Sequence, residues 1–305
     1  MPNWKEILAE TQRVGSGFDV VRRQYLRRLA ALTKRNVIVY YSGWLQKPEL
    51  ERQGIRFTLN DGDKNGFMAA IHRLNKGIGL DLLLHTPGGS IAATESLVDY
   101  LRKMFGTNIR AIVPQIAMSA GTMIALSCKE VVMGKHSSIG PIDPQLGGIP
   151  AHGVVEEFNT AVKQIKDDAS TIPVWQALLS KYEPSLIGEC QKAIKWSNEI
   201  VTTWLTTGMF LGESDARSKA DKIVNDLGTH SLTLSHERHV SIDTAREMGI
   251  KVVALEDNDK LQDAVLSVHH ACILTLTSTP AFKIIENHKG TAHINSVQMM
   301  LMKAP

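Results

Sequence analysis

The sequence predicts an α/β fold, a mainly parallel sheet flanked by helices and followed by a helical C-terminal part. Two observations carry this. From Asn36 to about Met133 short apolar or β-branched runs alternate with helical patterns in the order β-α-β-α-β-α-β. Parallel neighbours need crossover connections of that kind. From Val154 the pattern changes to long helical segments.

The elements follow in order. FDVVRRQYLRRLAALTKR sets Val20, Val21, Leu26, Leu29, Ala30 and Leu32 among arginines and lysines, which reads as an amphipathic basic helix. Such a face packs on its own domain or a neighbouring subunit more often than on nucleic acid or a membrane. NVIVYYSGWL is a strand by its β-branched and aromatic content. LNDGDKNGFMAAIHRLNKGIG is a turn and a helix closed by glycine. LDLLLHTPGG is a buried strand that ends in a turn, and SIAATESLVDYLRKMFG a helix with Ser90 as its N-cap. NIRAIVPQIA is the next strand, SAGTMIALSC the next helix, and KEVVMGKHSSIGPIDPQ a short strand running into a loop.

Beyond these, VVEEFNTAVKQIKDDAS, PSLIGECQKAIKWSNEIVTTWLTTGMF and SDARSKADKIVNDLG read as helices. SIDTAREMGIKVVAL reads as a short helix and a strand, and DNDKLQDAVLSVHHACILTLTSTPAF as a final helix. Residues 1–35 form an N-terminal helical segment and 36–305 the main body, one domain overall.

Composition narrows the function. With 305 residues, 43% hydrophobic and 21% charged, the chain is an ordinary globular protein with a large core. A net charge of +3 does not call for nucleic acid as a partner. Three dispersed cysteines, Cys128, Cys190 and Cys272, suit reduced thiols. The opening MPNWKEILAE lacks the apolar run of a signal peptide, and no apolar stretch has the length of a membrane span. A cytoplasmic location is expected.

Working loops of a parallel sheet lie at the carboxyl ends of its strands. Two stand out, HTPGG and QIAMSAGT. Gly88 and Gly89 lack a Cβ, so their amides can approach a ligand closely. Ser119 stands at a helix start, where N–H groups favour negative charge. A hydroxyl beside such donors is what acyl transfer requires, although a serine there can equally be a plain N-cap.

The stretches HTPGGSIAATESLVDYL, MSAGTMIAL and SSIGPIDPQLGG resemble the Clp-protease/signal-peptide-peptidase superfamily, whose members share the crotonase-like fold. Within it the chain resembles the serine dehydrogenase proteinase family, the soluble relatives of signal peptide peptidase A. The likeness is strong from about Asn36 to Pro150. RNVIVYYSGWLQK, SHERHVSIDTAREMG and TPAFKIIENH share it. It puts Ser119 on the family nucleophile, and Gly88 or Gly89 with the amide of Ala120 on the oxyanion hole. It implies peptide-bond hydrolysis through an acyl-enzyme on a polypeptide substrate, with no cofactor or metal. It also implies a homo-oligomer, ring or dimer-based.

The general base is where the chain departs from these relatives. Clp-type members carry a histidine in the loop corresponding to IDPQLGG, where this chain has Asp143. Signal-peptide-peptidase members use a lysine near the start of the following helix. Here that helix offers His152 early and Lys163 about 13 Å along it from Val154. The candidates rank His152, Lys163, Lys135, with Asp143 orienting a base or capping its turn.

Two further motifs invite other readings. DGDKNG copies the first half of a calcium loop, but the twelfth position from Asp61 is His72 and not a carboxylate, so it reads as a helix-capping turn. His230, His236 and His239 lack the H-E-x-x-H spacing of a helical zinc site. In the resemblance their segment lies near the Clp-type third triad member, with Glu237 at the matching distance. His269 and His270 suggest packing. Two rival functions remain: an acyl-CoA hydratase or hydrolase on the same fold, and an assembly module that has lost its base.

Overall fold

The computed structural model describes residue 7 and residues 17–228 and 235–297. After helix α1 (Phe18–Thr33), the β-branched run NVIVYYS forms β1 (Asn36–Ser42). Helix α2 (Asp63–Ile71) leads to β2 (Leu80–His85), and α3 (Ile91–Phe105) to β3 (Ile109–Val113). A two-residue strand β4 (Ile116–Ala117) then enters α4 (Ala120–Leu126), which crosses to β5 (Glu130–Met133).

Short strands β6 (Ser138–Ile139), β7 (Gln145–Leu146) and β8 (Ile149–Pro150) shape the loop that follows. Four helices come next: α5 (Ala151–Asp167), α6 (Ile172–Leu179), α7 (Leu186–Trp204) and α8 (Ala216–Gly228). The chain re-enters the sheet through α9 (Ile242–Met248) and β9 (Val252–Ala254), then α10 (Asp259–Ser278), β10 (Ala281–Asn287) and β11 (Ala292–Ser296).

Seven strands form one sheet in the order β11-β10-β1-β2-β3-β5-β9. β1, β2, β3, β5 and β9 run parallel, and β10 and β11 close one edge antiparallel. The mainly parallel α/β architecture is therefore the one the sequence predicts. All seven residues of β1 and all six of β2 are buried, because helices cover both faces of the sheet. Alternate residues serve two cores. Ile38, Tyr40, Leu82 and Leu84 pack with α3 and α4, while Val37, Val39, Tyr41 and Leu83 pack with α1 and α10. Each fully buried aliphatic side chain contributes about 1.5–3 kcal/mol.

The C-terminal third differs from its sequence reading. The helical pattern seen up to Phe282 ends at Ser278, and two strands follow it. Their signal is masked by buried polar residues with tertiary partners. Glu286 accepts from Arg22 Nε and Arg23 Nε at 2.6 Å each, and Asn287 donates to Ala70 O at 2.6 Å. Lys283 Nζ lies 3.0 Å from both oxygens of Asp63. Such groups break the apolar run that marks a buried strand, yet burial is tolerated because each is paired.

Candidate active site

β2 and β3 are neighbours in the sheet, so the loops at their carboxyl ends meet. Thr86 holds them together. Its N–H donates to Ile116 O at 3.2 Å, and its carbonyl accepts from Met118 N at 3.0 Å. The chain then turns sharply at Ser119, with φ +49° and ψ −114°, a region usually kept for glycine. Although Ser119 occupies the N-cap position of α4, its side chain makes no capping bond. Plain capping therefore does not account for the hydroxyl. Gly121 N donates to Met118 O at 2.7 Å, and Thr122 Oγ1 donates to Ala117 O and accepts from Gly140 N, both at 2.9 Å, which fixes the turn.

The small residues around the serine are required by packing. A Cβ on Gly88, whose φ is +106°, would stand 2.6 Å from Ser119 Cβ; one on Gly121 would stand 2.5 Å from Thr86 Cγ2. The Gly88–Gly89 turn is tied on its outer side to Leu59, whose N–H donates to Gly88 O at 2.7 Å and whose carbonyl accepts from Ser90 N at 3.0 Å. Gly88 N–H itself donates to Thr86 Oγ1 at 3.1 Å. Ala120 N–H heads α4, where first-turn amides have no partner within the helix.

The segment bearing Leu59 is in turn held by a buried ion pair. Lys283 Nζ donates to Thr58 O as well as to Asp63, and Asp63 Oδ2 also accepts from Asn60 N and Tyr40 Oη. Burial pushes the Lys283 ammonium below its usual range, against the opposing pull of Asp63. The calcium-like DGDKNG thus spends Asp63 on this internal pair.

Ser119 opens into a cavity of 630 Å³. One wall comes from Arg56, Leu59, Gly89 and Ile91, the facing wall from Ile142, Asp143, Gln145 and Leu146. Trp196 of α7 and His236 also line it. Asp143 is buried, and its Oδ1 lies 2.9 Å from His236 Nδ1. The imidazole is partly exposed. Both are anchored from the main chain. Ile142 N donates to Leu227 O at 2.9 Å, and Ile142 O accepts from Ser197 Oγ at 3.1 Å. Ile139 and Val240 exchange two backbone bonds, which returns the His236 segment to the Asp143 loop.

Of the residues expected from sequence, Ser119, Gly89 and Asp143 line this cavity, and Gly88 and Ala120 are packed against the serine. His152 and Lys163 do not line it. The helix starts earlier than expected, at Ala151, which carries His152 into its first turn and Lys163 to an exposed position further along. Lys135 lines a separate cleft with Asp243 and Glu256. His236, first set aside with a zinc-like trio, is the histidine that reaches the serine's cavity; its companion His230 lies outside the described residues. The signal available was a histidine in the segment where the resemblance puts the third triad member.

Comparison with known proteins identifies the family. The family model of the ClpP-like SDH-type serine proteinases matches residues 16–259. The chain belongs to that family. Its mainly parallel sheet fits that family. Two relatives, both uncharacterized proteins of Methanocaldococcus jannaschii, are 28% and 29% identical to this proteinase-family chain over 190 residues. The match covers 62% of this chain but only 57% and 59% of theirs. Among the described residues no helix is long and apolar enough to cross a membrane.

Proposed function

We infer that the chain hydrolyses peptide bonds through an acyl-enzyme on Ser119, with His236 as general base and Asp143 as its orienting carboxylate. The observation that carries this reading is the 2.9 Å contact of His236 Nδ1 with Asp143 Oδ1 at the edge of the cavity holding Ser119. Asp143 accepts from Nδ1–H and leaves Nε2 as the basic nitrogen. Nε2 takes the Ser119 proton as Oγ attacks the substrate carbonyl. The oxyanion is received by Ala120 N–H and by the Gly89 N–H, the Gly88 N–H being held by Thr86 Oγ1. Collapse expels the amine, which takes the proton from the imidazolium. A water deprotonated by the same imidazole then releases the acyl group and restores Ser119.

Compared with the Clp-type arrangement, acid and base have exchanged places. By the sequence resemblance Asp143 stands in the loop where those relatives carry histidine, and His236 near the segment of their third member. A third group is thereby supplied without His152 or Lys163. A homo-oligomer belongs to the same reading, supported by the exposed apolar residues Val162, Ile172, Val174 and Leu178 on α5 and α6.

The test is turnover of a quenched peptide library by wild type, Asp143→Asn, His236→Gln and Lys163→Ala. Loss of the base or its orienting acid lowers kcat by about 10²–10⁴-fold, with Lys163→Ala near wild type. An active His236→Gln beside an inactive Lys163→Ala would refute the assignment.

A further inference from the structure

On the other side of His236 lies a second cavity, of 720 Å³. It shares Pro87, Gln145 and His236 with the Ser119 cavity, so the two adjoin along these residues as halves of one trough. Their chemistry differs. The Ser119 half is walled by Ile91, Met123, Ile142, Leu146 and Trp196, and among the described residues Arg56 is the one lysine or arginine along its lining. Among the described residues its single lining carboxylate is Asp143, which is buried against His236.

The far half presents Trp44, Leu45 and Met118 together with two carboxylates, Glu51 and Glu237, and among the described residues has no lysine or arginine in its lining. Both carboxylates are exposed, and among the described residues neither has an ion-pair partner. Gln115, His136, Ser138 and His239 add polar groups to the lining. Trp44 is held in place by its contact with the buried His85 ring, 4.6 Å between centroids. An indole face beside two carboxylates is a receptor for a cationic head group.

The direction of the substrate follows from proton traffic. A base that has taken the serine proton delivers it to the departing amine, so the amine side of the scissile bond lies where the trough has the imidazole but neither Ser119 nor the glycine turn. That is the far half.

We propose that the far cavity receives the leaving-amine side of the substrate and selects lysine or arginine there, through Glu51, Glu237 and Trp44, while the Ser119 half takes an apolar side chain on the acyl side. The substrate class is a polypeptide segment with an apolar-to-basic junction. This rests on the reading of Ser119 as nucleophile. Because the carboxylates face solvent, the preference is modest, about 3- to 10-fold in kcat/KM at low salt. It shrinks as salt shortens the range of the charges.

The experiment uses matched quenched peptides with leucine on the acyl side and Lys, Gln or Glu in the two positions after the scissile bond. They are assayed on the full chain at about 20 mM and about 500 mM salt. The order Lys > Gln > Glu at low salt, its collapse at high salt and its reversal in Glu51→Lys/Glu237→Lys are expected, with product masses giving the bond cut. Equal rates for the three peptides, or a basic preference on the acyl side, overturn the proposal, as does a double variant that still prefers lysine.

Anisotropy of the same peptides on Ser119→Ala reads the preference without turnover, and equal affinity there also overturns it. Failure of the underlying reading has a different signature. A fluorophosphonate then leaves Ser119 unmodified, whatever the peptide order.

Discussion

His85 ends β2, one residue before the Thr86 that ties the two site loops together, and it is fully buried. Its ring stacks on Tyr41 and Trp44 and meets His269 edge-on. Among the described residues neither ring nitrogen has a hydrogen-bond partner. The other groups at this cluster are His269, which shares a 3.1 Å bond with the Tyr41 hydroxyl, and His270 and His136 beyond it. Burial lowers the His85 pKa from 6.5 to about 3, and burial with the neighbouring histidines holds His269 well below its ordinary value.

A histidine with a depressed folded-state pKa binds more protons when unfolded. Its stabilising effect is therefore complete above 6.5 and is lost as pH falls toward 3. For His85 alone the loss at about pH 5 is about 2 kcal/mol. His85→Phe removes both orphaned nitrogens and the titration while keeping a flat ring among aromatic neighbours. Urea unfolding of both proteins near neutral pH and at about pH 5 isolates the effect, since other acid-sensitive groups cancel in the double difference. The variant is expected within about 1 kcal/mol of wild type at neutral pH and about 2 kcal/mol ahead of it at pH 5. Equal losses in the two proteins would refute the neutral, buried His85.

Other consequences follow from the packing around the site. Lys283→Met strands Asp63 without its cation and costs about 3–5 kcal/mol, whereas Lys283→Met/Asp63→Leu costs less. Urea midpoints check both, and a harmless single variant would contradict the ion pair. Gly88→Ala puts a Cβ against Ser119 at positive φ, so it lowers stability by about 1–3 kcal/mol and abolishes modification of Ser119. Thermal unfolding and intact mass check the two effects. Light scattering at micromolar concentration is expected to give more than one chain per particle, and Val174→Glu to reduce that number.

How much of this was legible beforehand depends on how local each signal is. Parallel strands were readable because NVIVYYS and IRAIV are β-branched runs, and a strand covered on both faces needs little else. β10 was not, because Lys283, Glu286 and Asn287 are acceptable only through partners at positions such as Asp63, Arg22 and Ala70, far off in sequence. Ser119 and its glycine neighbours were readable for the same local reason, one hydroxyl among small residues at a strand-to-helix turn.

The proposed base was not readable in this way. Asp143 and His236 are 93 residues apart, and the Ile139–Val240 pairing with the anchors on α7 and α8 brings them together. A search for a base close to the serine in sequence selects His152 and Lys163, which the early start of α5 leaves off the cavity.

The central claim is that Ser119 is an activated nucleophile, and treatment of the full chain with a fluorophosphonate followed by intact mass tests it most directly. One adduct on wild type, none on Ser119→Ala and a much slower reaction on His236→Gln are predicted. An unmodified wild type in a folded sample, or an adduct that persists on Ser119→Ala, would contradict it.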